Sequence, residues 1–279
     1  MGVDGSVASM RALDWAADEA AVHERPLRIV HASMWERFEG ATPSEDLPEG
    51  RTETAALQET VTDAEARARR RRPEVMVHAD VLPGEPIDVL VHEAESAFVL
   101  VVGHRGHDAL VRRLFIGSIG PGIAVRAWCP VVAVGDSAPG PPLADRPVVL
   151  GVAEGTEARA AHVAFALREA QARGCDLIAV HARSRQETRQ APPGPDSPAA
   201  DAPLRAALPD RATLESGVTV HRRILDGPAH HVLTQAAHNA GLLVLGVHHQ
   251  HGMVHRALRP THQAVLRHSP CPVALVGVP

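Results

Sequence analysis

Short apolar runs alternate along this chain with segments whose apolar residues recur every three or four positions. In the first half, the apolar runs cover residues 27–32, 76–82, 98–102 and 131–134. The segments with helical spacing cover residues 8–24, 54–71, 86–95 and 118–127. Buried parallel strands are continuously apolar because helices cover both of their faces. The pattern therefore predicts alternating strands and helices in a doubly wound α/β sheet.

The pattern occurs twice, and short motifs recur with it. Val30-His31-Ala32 returns 150 residues later as Val180-His181-Ala182, and Cys129-Pro130-Val131 returns 142 residues later as Cys271-Pro272-Val273. A duplicated domain explains motifs that recur in the same order. We predict a first domain over residues 1–136, a linker rich in Pro and Gly over 137–146, and a second domain over 147–279.

The two copies differ at their first strand. Residues 147–150 form an apolar strand before Gly151, whereas Gly2 directly follows Met1. The first copy thus lacks most of a strand that would be central in the sheet. Two expectations remain open: a native start upstream, or a domain that tolerates a very short first strand.

A glycine turn follows the apolar run over residues 98–102, which is the fourth strand when the short first strand is counted. Gly103-His104-Arg105-Gly106 ends that run, and Gly117-Ser118-Ile119 opens the next helical segment. Glycine lets the backbone approach a ligand closely, and the free amides of a helix start attract phosphate. The turn predicts an anion-binding loop; the alternative is a tight connection that binds nothing. If the first and fourth strands are neighbours, the loop carrying Asp4 faces this turn.

Composition excludes several classes of function. The net charge is -5, aromatic residues make up 3% of the chain, and no basic stripe is present, which argues against nucleic-acid binding. No apolar run approaches the roughly 20 residues of a membrane span, and no signal peptide is evident, so we expect a cytoplasmic protein. The absence of Lys excludes a Walker-type or kinase-type ATP lysine.

Cysteine and histidine carry weaker signals. Three cysteines do not indicate a disulfide framework, and we expect Cys129 and Cys271 to be buried beside strands. His31 and His181 end equivalent apolar strands and are interpreted as hydrogen-bonded framework residues. Nine histidines lie between residues 230 and 268. Their spacing over 248–255 would suit Zn²⁺ or Ni²⁺, although a solvated loop is the simpler interpretation.

Taken in order, the motifs GVDGS, VHA, VLPGEP, VVGHRG, GS and CPVVAVG resemble the universal stress protein family in tandem. The resemblance implies an adenine nucleotide alpha hydrolase-like fold, with two five-stranded parallel sheets of strand order 3-2-1-4-5. It also implies ATP binding in the first domain. Because the chain contains no lysine, ATP could be bound only through backbone, hydroxyl, Arg and His groups. One departure is that ten residues, not nine, separate Gly106 from Gly117.

By this resemblance, each part of ATP has an expected contact. Asp4 would contact the ribose, and the backbone near Ala32 would contact the adenine. The turn from Gly103 through His104 and Arg105 to Gly106 would hold phosphate, and Gly117, Ser118 and Ile119 would receive the β and γ phosphates. Asp4, opposite this loop, could in principle also order Mg²⁺ and a water.

The second copy has lost several of these groups. Ala153-Glu154 stands at the position of Asp4, and Arg259-Pro260 stands at the position of Gly117-Ser118. Proline removes an amide, and a Cβ is costly where a loop needs positive φ. We therefore predict a degenerate pocket and a structural or regulatory half.

The leading hypothesis is a stress-response protein whose first domain uses ATP as a conformational ligand. No nucleophile-base set is evident, so we do not expect an enzyme, although slow hydrolysis of ATP stays open. The alternative is a nucleotide-free scaffold acting through its fifth strands. The resemblance further implies an intrachain pseudo-dimer of the two domains and leaves room for a homodimer. A metal-responsive protein is the third hypothesis.

Overall fold

The computed structural model describes residues 1–34, 53–104, 119–135, 146–158, 160–183, 201–210, 216–248 and 258–278. The chain forms two compact units, Met1–Val134 and Gly135–Pro279. In the described part, no helix has the length and apolar character needed to cross a lipid bilayer.

The first unit follows the predicted alternation of helices and strands. Its elements are α1 (Val7–Val22), β1 (Leu27–Ser33), α2 (Glu53–Arg71), β2 (Val77–Pro83), α3 (Pro86–Glu93), β3 (Leu100–Gly103), α4 (Ile119–Ala124) and β4 (Val131–Val134). The strand predicted from residue 98 begins at Leu100, because the Phe98 ring packs against His23 instead. The helix predicted to residue 127 ends at Ala124.

Three residues take the place of the central strand in this unit. β1 pairs in parallel with β2, and β3 with β4. Between β1 and β3, the Gly2 amide donates to the Val101 carbonyl (3.1 Å) and the Val3 amide to the Val30 carbonyl (2.9 Å). The Val30 amide donates to the Met1 carbonyl (2.8 Å). Met1 to Val3 therefore bridge the two pairs of strands.

The second unit contains a complete five-stranded sheet. Its elements are β5 (Val148–Gly151), α5 (Ala161–Arg173), β6 (Leu177–Arg183), α6 (Ala202–Ala207), β7 (Val220–Asp226), α7 (Ala229–Ala236), a 3₁₀ turn (Ala237–Asn239), β8 (Leu242–His248), α8 (Pro260–His268) and β9 (Val273–Val278). The strands lie in the order β9-β8-β5-β6-β7, and every pair is parallel. The predicted order 3-2-1-4-5 is confirmed in this unit, whereas the described residues of the first unit form four strands and no complete central one.

Equivalent glycine turns show the duplication at atomic detail. The Gly84 amide donates to the Ser33 carbonyl (2.8 Å), and the Gly227 amide donates to the Arg183 carbonyl (3.0 Å). Both glycines have positive φ, 133° and 142°. This backbone conformation is available to glycine and rarely to other residues, which explains why it occurs at the same place in both copies.

A proline-rich segment of the second unit contains a short helix. Six prolines between residues 192 and 209 favour extended or disordered chain, yet residues 202–207 form α6. Pro203 lies in the first turn of this helix, where its missing amide leaves no helical hydrogen bond unmade. Leu204, Ala207 and Leu208 are fully buried, so packing stabilises the short helix.

Ion pairs connect α2 to α1. Arg67 donates two hydrogen bonds to Asp14, both 2.7 Å long. Asp18 accepts hydrogen bonds from both Arg71 and Arg72. The basic residues at the end of α2 therefore provide directed contacts between two helices while staying partly exposed.

Candidate functional site

A cavity of about 130 Å³ lies at the carboxyl ends of the strands in the first unit. Asp4, Ala32 and Gly103 line it together with apolar residues that include Val30, Leu90 and Val102. Asp4 follows the short central segment, Ala32 lies in β1, and Gly103 ends β3. Three residues from separate parts of the sequence thus meet where a doubly wound sheet binds its ligands.

The start of α1 holds Asp4 in place. Gly5 adopts a φ of 77°, and the Ser6 amide donates to Asp4 Oδ1 (3.0 Å). Ser6 caps α1, because its Oγ accepts the amide of Ser9 (3.1 Å). The Asp4 side chain is half-buried, with one oxygen used by this turn. Its second carboxylate oxygen can accept a hydrogen bond from a ligand.

Gly103 serves packing at this site. A Cβ there would lie 2.7 Å from the Ala8 carbonyl carbon and 2.7 Å from the Ser9 amide nitrogen. The glycine therefore lets the first turn of α1 approach the end of β3. The next amide, that of His104, donates to the Val134 carbonyl (2.7 Å). These two residues hold α1 and β4 at the cavity, a role that the glycine-turn motif did not reveal.

The rest of the predicted phosphate loop lies outside the described residues. This applies to Arg105, Gly106, Gly117 and Ser118, and the Ile119 side chain is likewise not described. Residues 249–257, which include most of the candidate metal-binding histidines over 248–255, also lie outside the described residues. Phosphate binding at the loop and metal binding over 248–255 therefore stay predictions.

Two equivalent histidines line the cavities of the two units. Burial lowers the pKa of His31, an effect that the Val3 carbonyl and the Asp4 charge partly offset. His181 Nδ1 lies 2.9 Å from the Val152 carbonyl. A carbonyl only accepts hydrogen bonds, so His181 donates and ties β6 to the residue after β5. The framework role is confirmed for His181.

Burial affects the thiols of all three cysteines, although Cys175 is only partly buried, unlike Cys129 and Cys271. Burial raises the pKa of Cys129 and of Cys271 to about 11 and also raises that of Cys175. Cys129 and Cys271 are buried beside β4 and β9, as expected. Since the thiolate is the reactive form, neither thiol suits catalysis at neutral pH.

The second unit has its own cavity, of about 400 Å³, at the equivalent end of its sheet. The sequence indicated a degenerate pocket, and the nucleotide-type groups are indeed replaced, since Ala153 and Arg259 line this cavity. The space itself remains. Its polar lining residues differ from those of the first cavity and include Thr156, His162 and His262.

Sequence reasoning missed these polar residues. His162 lies in α5 at the position that Ala12 occupies in α1, 150 residues earlier. Both residues are buried. A comparison of the copies at this offset could have shown a histidine in place of a buried alanine.

Comparisons with known proteins agree with the duplicated fold. The model of the universal stress protein family matches residues 1–135 and 146–277. Among curated relatives, Mycobacterium tuberculosis universal stress protein Rv2005c is 31% identical, covering 98% of this chain and 94% of its own. M. tuberculosis universal stress protein Rv2623 is also 31% identical, covering 88% and 84%.

Solved structures show the same fold. A universal stress protein from Archaeoglobus fulgidus aligns with a TM-score of 0.71 at 17% identity, covering 99% of this chain and 96% of its own. PA1789 of Pseudomonas aeruginosa, a functionally unknown protein, aligns with a TM-score of 0.63 at 15% identity, covering 100% and 91%.

Proposed function

This chain belongs to the universal stress protein family as a tandem of two domains, and we propose that its first domain binds ATP as a regulatory ligand in a stress response. The observation that carries the proposal is the meeting of Asp4, Ala32 and Gly103 at one cavity. They lie at the carboxyl ends of neighbouring strands, where doubly wound sheets bind nucleotides.

The cavity suits the nucleoside part of ATP. The adenine would lie against the backbone near Ala32 and the apolar wall of Val30, Leu90 and Val102. Asp4 would accept a hydrogen bond from the ribose with its second oxygen. Because about 130 Å³ is below the roughly 300–1,000 Å³ of typical ligand pockets, the described residues would enclose only part of the ligand.

The phosphates would be held by main-chain amides of Gly106, Gly117 and Ser118, aided by Arg105 and Mg²⁺. The chain contains no lysine, so no ammonium group takes part. Bound ATP would stabilise the domain, by about 2.7 kcal/mol when its concentration is 100 times Kd. A partner could recognise that stabilised state, which makes ATP a signal in this proposal.

Titration calorimetry with ATP tests the proposal. Ala32→Leu places a larger side chain in the first cavity, and Ala182→Leu makes the same change in the second. We expect the first variant to bind ATP at least about tenfold more weakly, and the second to bind like the wild type. Asp4→Ala should cost about tenfold, the effect of one charge-assisted hydrogen bond.

Circular dichroism of each variant provides the folding control. If the folded wild type shows neither heat nor a thermal shift at millimolar ATP, the proposal fails. The nucleotide-free scaffold would then be preferred, and bulky residues at Gly106 or Gly117 should leave its function intact.

A further inference from the structure

A cavity of about 250 Å³ lies next to Met1 in the first unit, at the amino-terminal ends of β1 and β3. The candidate nucleotide cavity lies at the opposite, carboxyl ends of the same strands. Ala16 and Ala20 of α1 and Leu90 of α3 contribute apolar wall. The volume is just below the roughly 300 Å³ of small ligand pockets, so the cavity suits a short segment of chain rather than a large ligand.

The second unit shows what occupies this space in a complete sheet. There, β5 lies between β6 and β8 and pairs in parallel with both. Leu150 stands at the position of Met1, 149 residues later, so Val148 and Val149 occupy the positions directly before that of Met1. Both valines are fully buried. The cavity next to Met1 therefore has the place of a buried strand segment.

Main-chain groups on both sides of the cavity face this space. The Met1 amino group donates to the Arg28 carbonyl (2.9 Å), and the Gly2 amide donates to the Val101 carbonyl (3.1 Å). The amide and carbonyl of one strand residue point to the same side, so the Arg28 and Val101 amides face the space as well. Within the described part of the chain, no group accepts a hydrogen bond from either amide. Val101 is 3% exposed, and a buried amide without an acceptor is costly.

We propose that this space binds the carboxyl-terminal residues of another polypeptide as an added parallel strand between β1 and β3. Extended peptides bind proteins in this way where the main-chain groups of a strand are unpaired. Oxygens of the peptide main chain would accept the Arg28 and Val101 amides. The peptide side chains would be apolar, as Val148 and Val149 are at the equivalent place. Peptide binding at this end of the sheet does not depend on the proposed ATP site.

Met1 determines which end of the peptide enters the space. A parallel strand runs in the direction of β1 and β3, so the peptide would end next to the Met1 amino group. Because Met1 blocks any continuation, the peptide must end there in a free carboxylate. Burial lowers the pKa of the amino group to about 6, although the charge of Glu93 partly offsets this effect. A carboxylate beside the amino group would favour its charged form and pair with it.

Three peptides test the proposal on the full chain. The probe is acetyl-Arg-Pro-Val-Val with a free carboxylate, the sequence of residues 146–149. One control is the same peptide with a carboxyl-terminal amide, and the other is acetyl-Arg-Pro-Gly-Gly, which lacks the apolar side chains. NMR titration without nucleotide measures binding. We expect the probe to bind at least about tenfold more tightly than either control.

Hydrogen exchange locates the bound peptide. A saturating concentration of the probe should slow exchange of the Arg28 and Val101 amides at least roughly tenfold, because each gains an acceptor. Ile178 is the internal control, since it corresponds to Arg28 in the second unit and lies in the complete sheet. Its exchange rate should not change.

Two variants test the position of the site. Adding Arg-Pro-Val-Val directly before Met1 should fill the space from within the chain, which should raise the melting temperature and abolish binding of the free probe. Ala16→Leu narrows the cavity and should weaken binding about tenfold. Ala166→Leu, the same change at the equivalent buried position of α5, is the matched control and should leave binding unchanged. Circular dichroism shows whether each variant folds.

Three results would overturn the proposal. One is equal binding of the free-carboxylate and amide forms of the probe. Another is no binding of the probe at about 10 mM, where even weak sites are occupied. The third is an intact mass of the protein from its natural source above that of Met1 to Pro279, because residues before Met1 would then occupy the space. Loss of ATP binding would refute only the proposed function.

Discussion

Gly103 matches a phosphate-loop motif, but the structure requires a glycine at this position for packing against α1. The motif predicts a glycine that shapes a phosphate loop. In the structure, the space where its Cβ would lie is taken by the backbone of Ala8 and Ser9 in α1. Because backbone atoms cannot move aside as a flexible side chain can, the glycine is required for packing, whatever ligand binds nearby.

Gly103→Ala should therefore destabilise the protein even without nucleotide. We expect the free energy of unfolding to fall by about 1–3 kcal/mol, the usual effect of overpacking a core. Chemical denaturation in the absence of ligand measures it. Gly135→Ala is the matched control, since no atom lies within 4 Å of the added Cβ. Equal stability of the two variants would contradict the packing role.

Among the elements, α2 packs through its apolar face and also forms charged contacts with α1. Asp18 receives hydrogen bonds of 2.7 to 3.0 Å from Arg71 and Arg72. These groups are partly exposed, so each pair on its own contributes little. Two guanidinium groups on one carboxylate nevertheless fix how α2 lies on α1.

Asp18→Asn should lower the free energy of unfolding by about 0.5–1 kcal/mol at low salt. The loss should shrink in about 1 M NaCl, where the screening length is about 3 Å. Urea denaturation at both salt concentrations provides the measurement. Asp63→Asn on α2 is the control, because Asp63 is exposed and forms no ion pair with the described residues. A loss that does not depend on salt would rule out the electrostatic explanation.

In the whole molecule, the two units share a plan but differ in how complete their sheets are. β6 has a partner strand on each side, β5 and β7. β1 has β2 on one side and only Met1 to Val3 on the other. Alternate amides of a strand point to opposite neighbours, so the Arg28 amide faces Met1 to Val3 and the equivalent Ile178 amide faces β5.

Hydrogen exchange should reveal this difference. We expect the Arg28 amide to exchange at least roughly tenfold faster than that of Ile178, because none of the described residues accepts its hydrogen bond. Val30 and Val180 should both exchange slowly, since the Val30 amide is bonded to the Met1 carbonyl and Val180 lies in the complete ladder. Residue-resolved exchange by NMR makes the comparison. Equal protection of Arg28 and Ile178 would contradict the interrupted ladder.

The sequence by itself determined the features that depend on local pattern and on repetition. Apolar runs predicted the ends of β1, β2 and β4 to within about two residues, because a strand that is buried along its length has consecutive apolar residues. Recurrent motifs such as Val30-His31-Ala32 revealed the duplication. Together with the family resemblance, they also gave the strand order and placed Asp4 opposite Gly103.

Tertiary structure alone decided the features that depend on residues far apart in the chain. The backbone of α1 against Gly103, the guanidinium groups of α2 on Asp18, and the cavity lined by Thr156 and His181 each join distant segments. The second copy has other residues at the positions of Asp4 and Ser118, and this difference predicted a degenerate pocket. A cavity, however, is set by the volume that the surrounding side chains leave empty. That volume follows from packing in three dimensions, which no single stretch of sequence encodes.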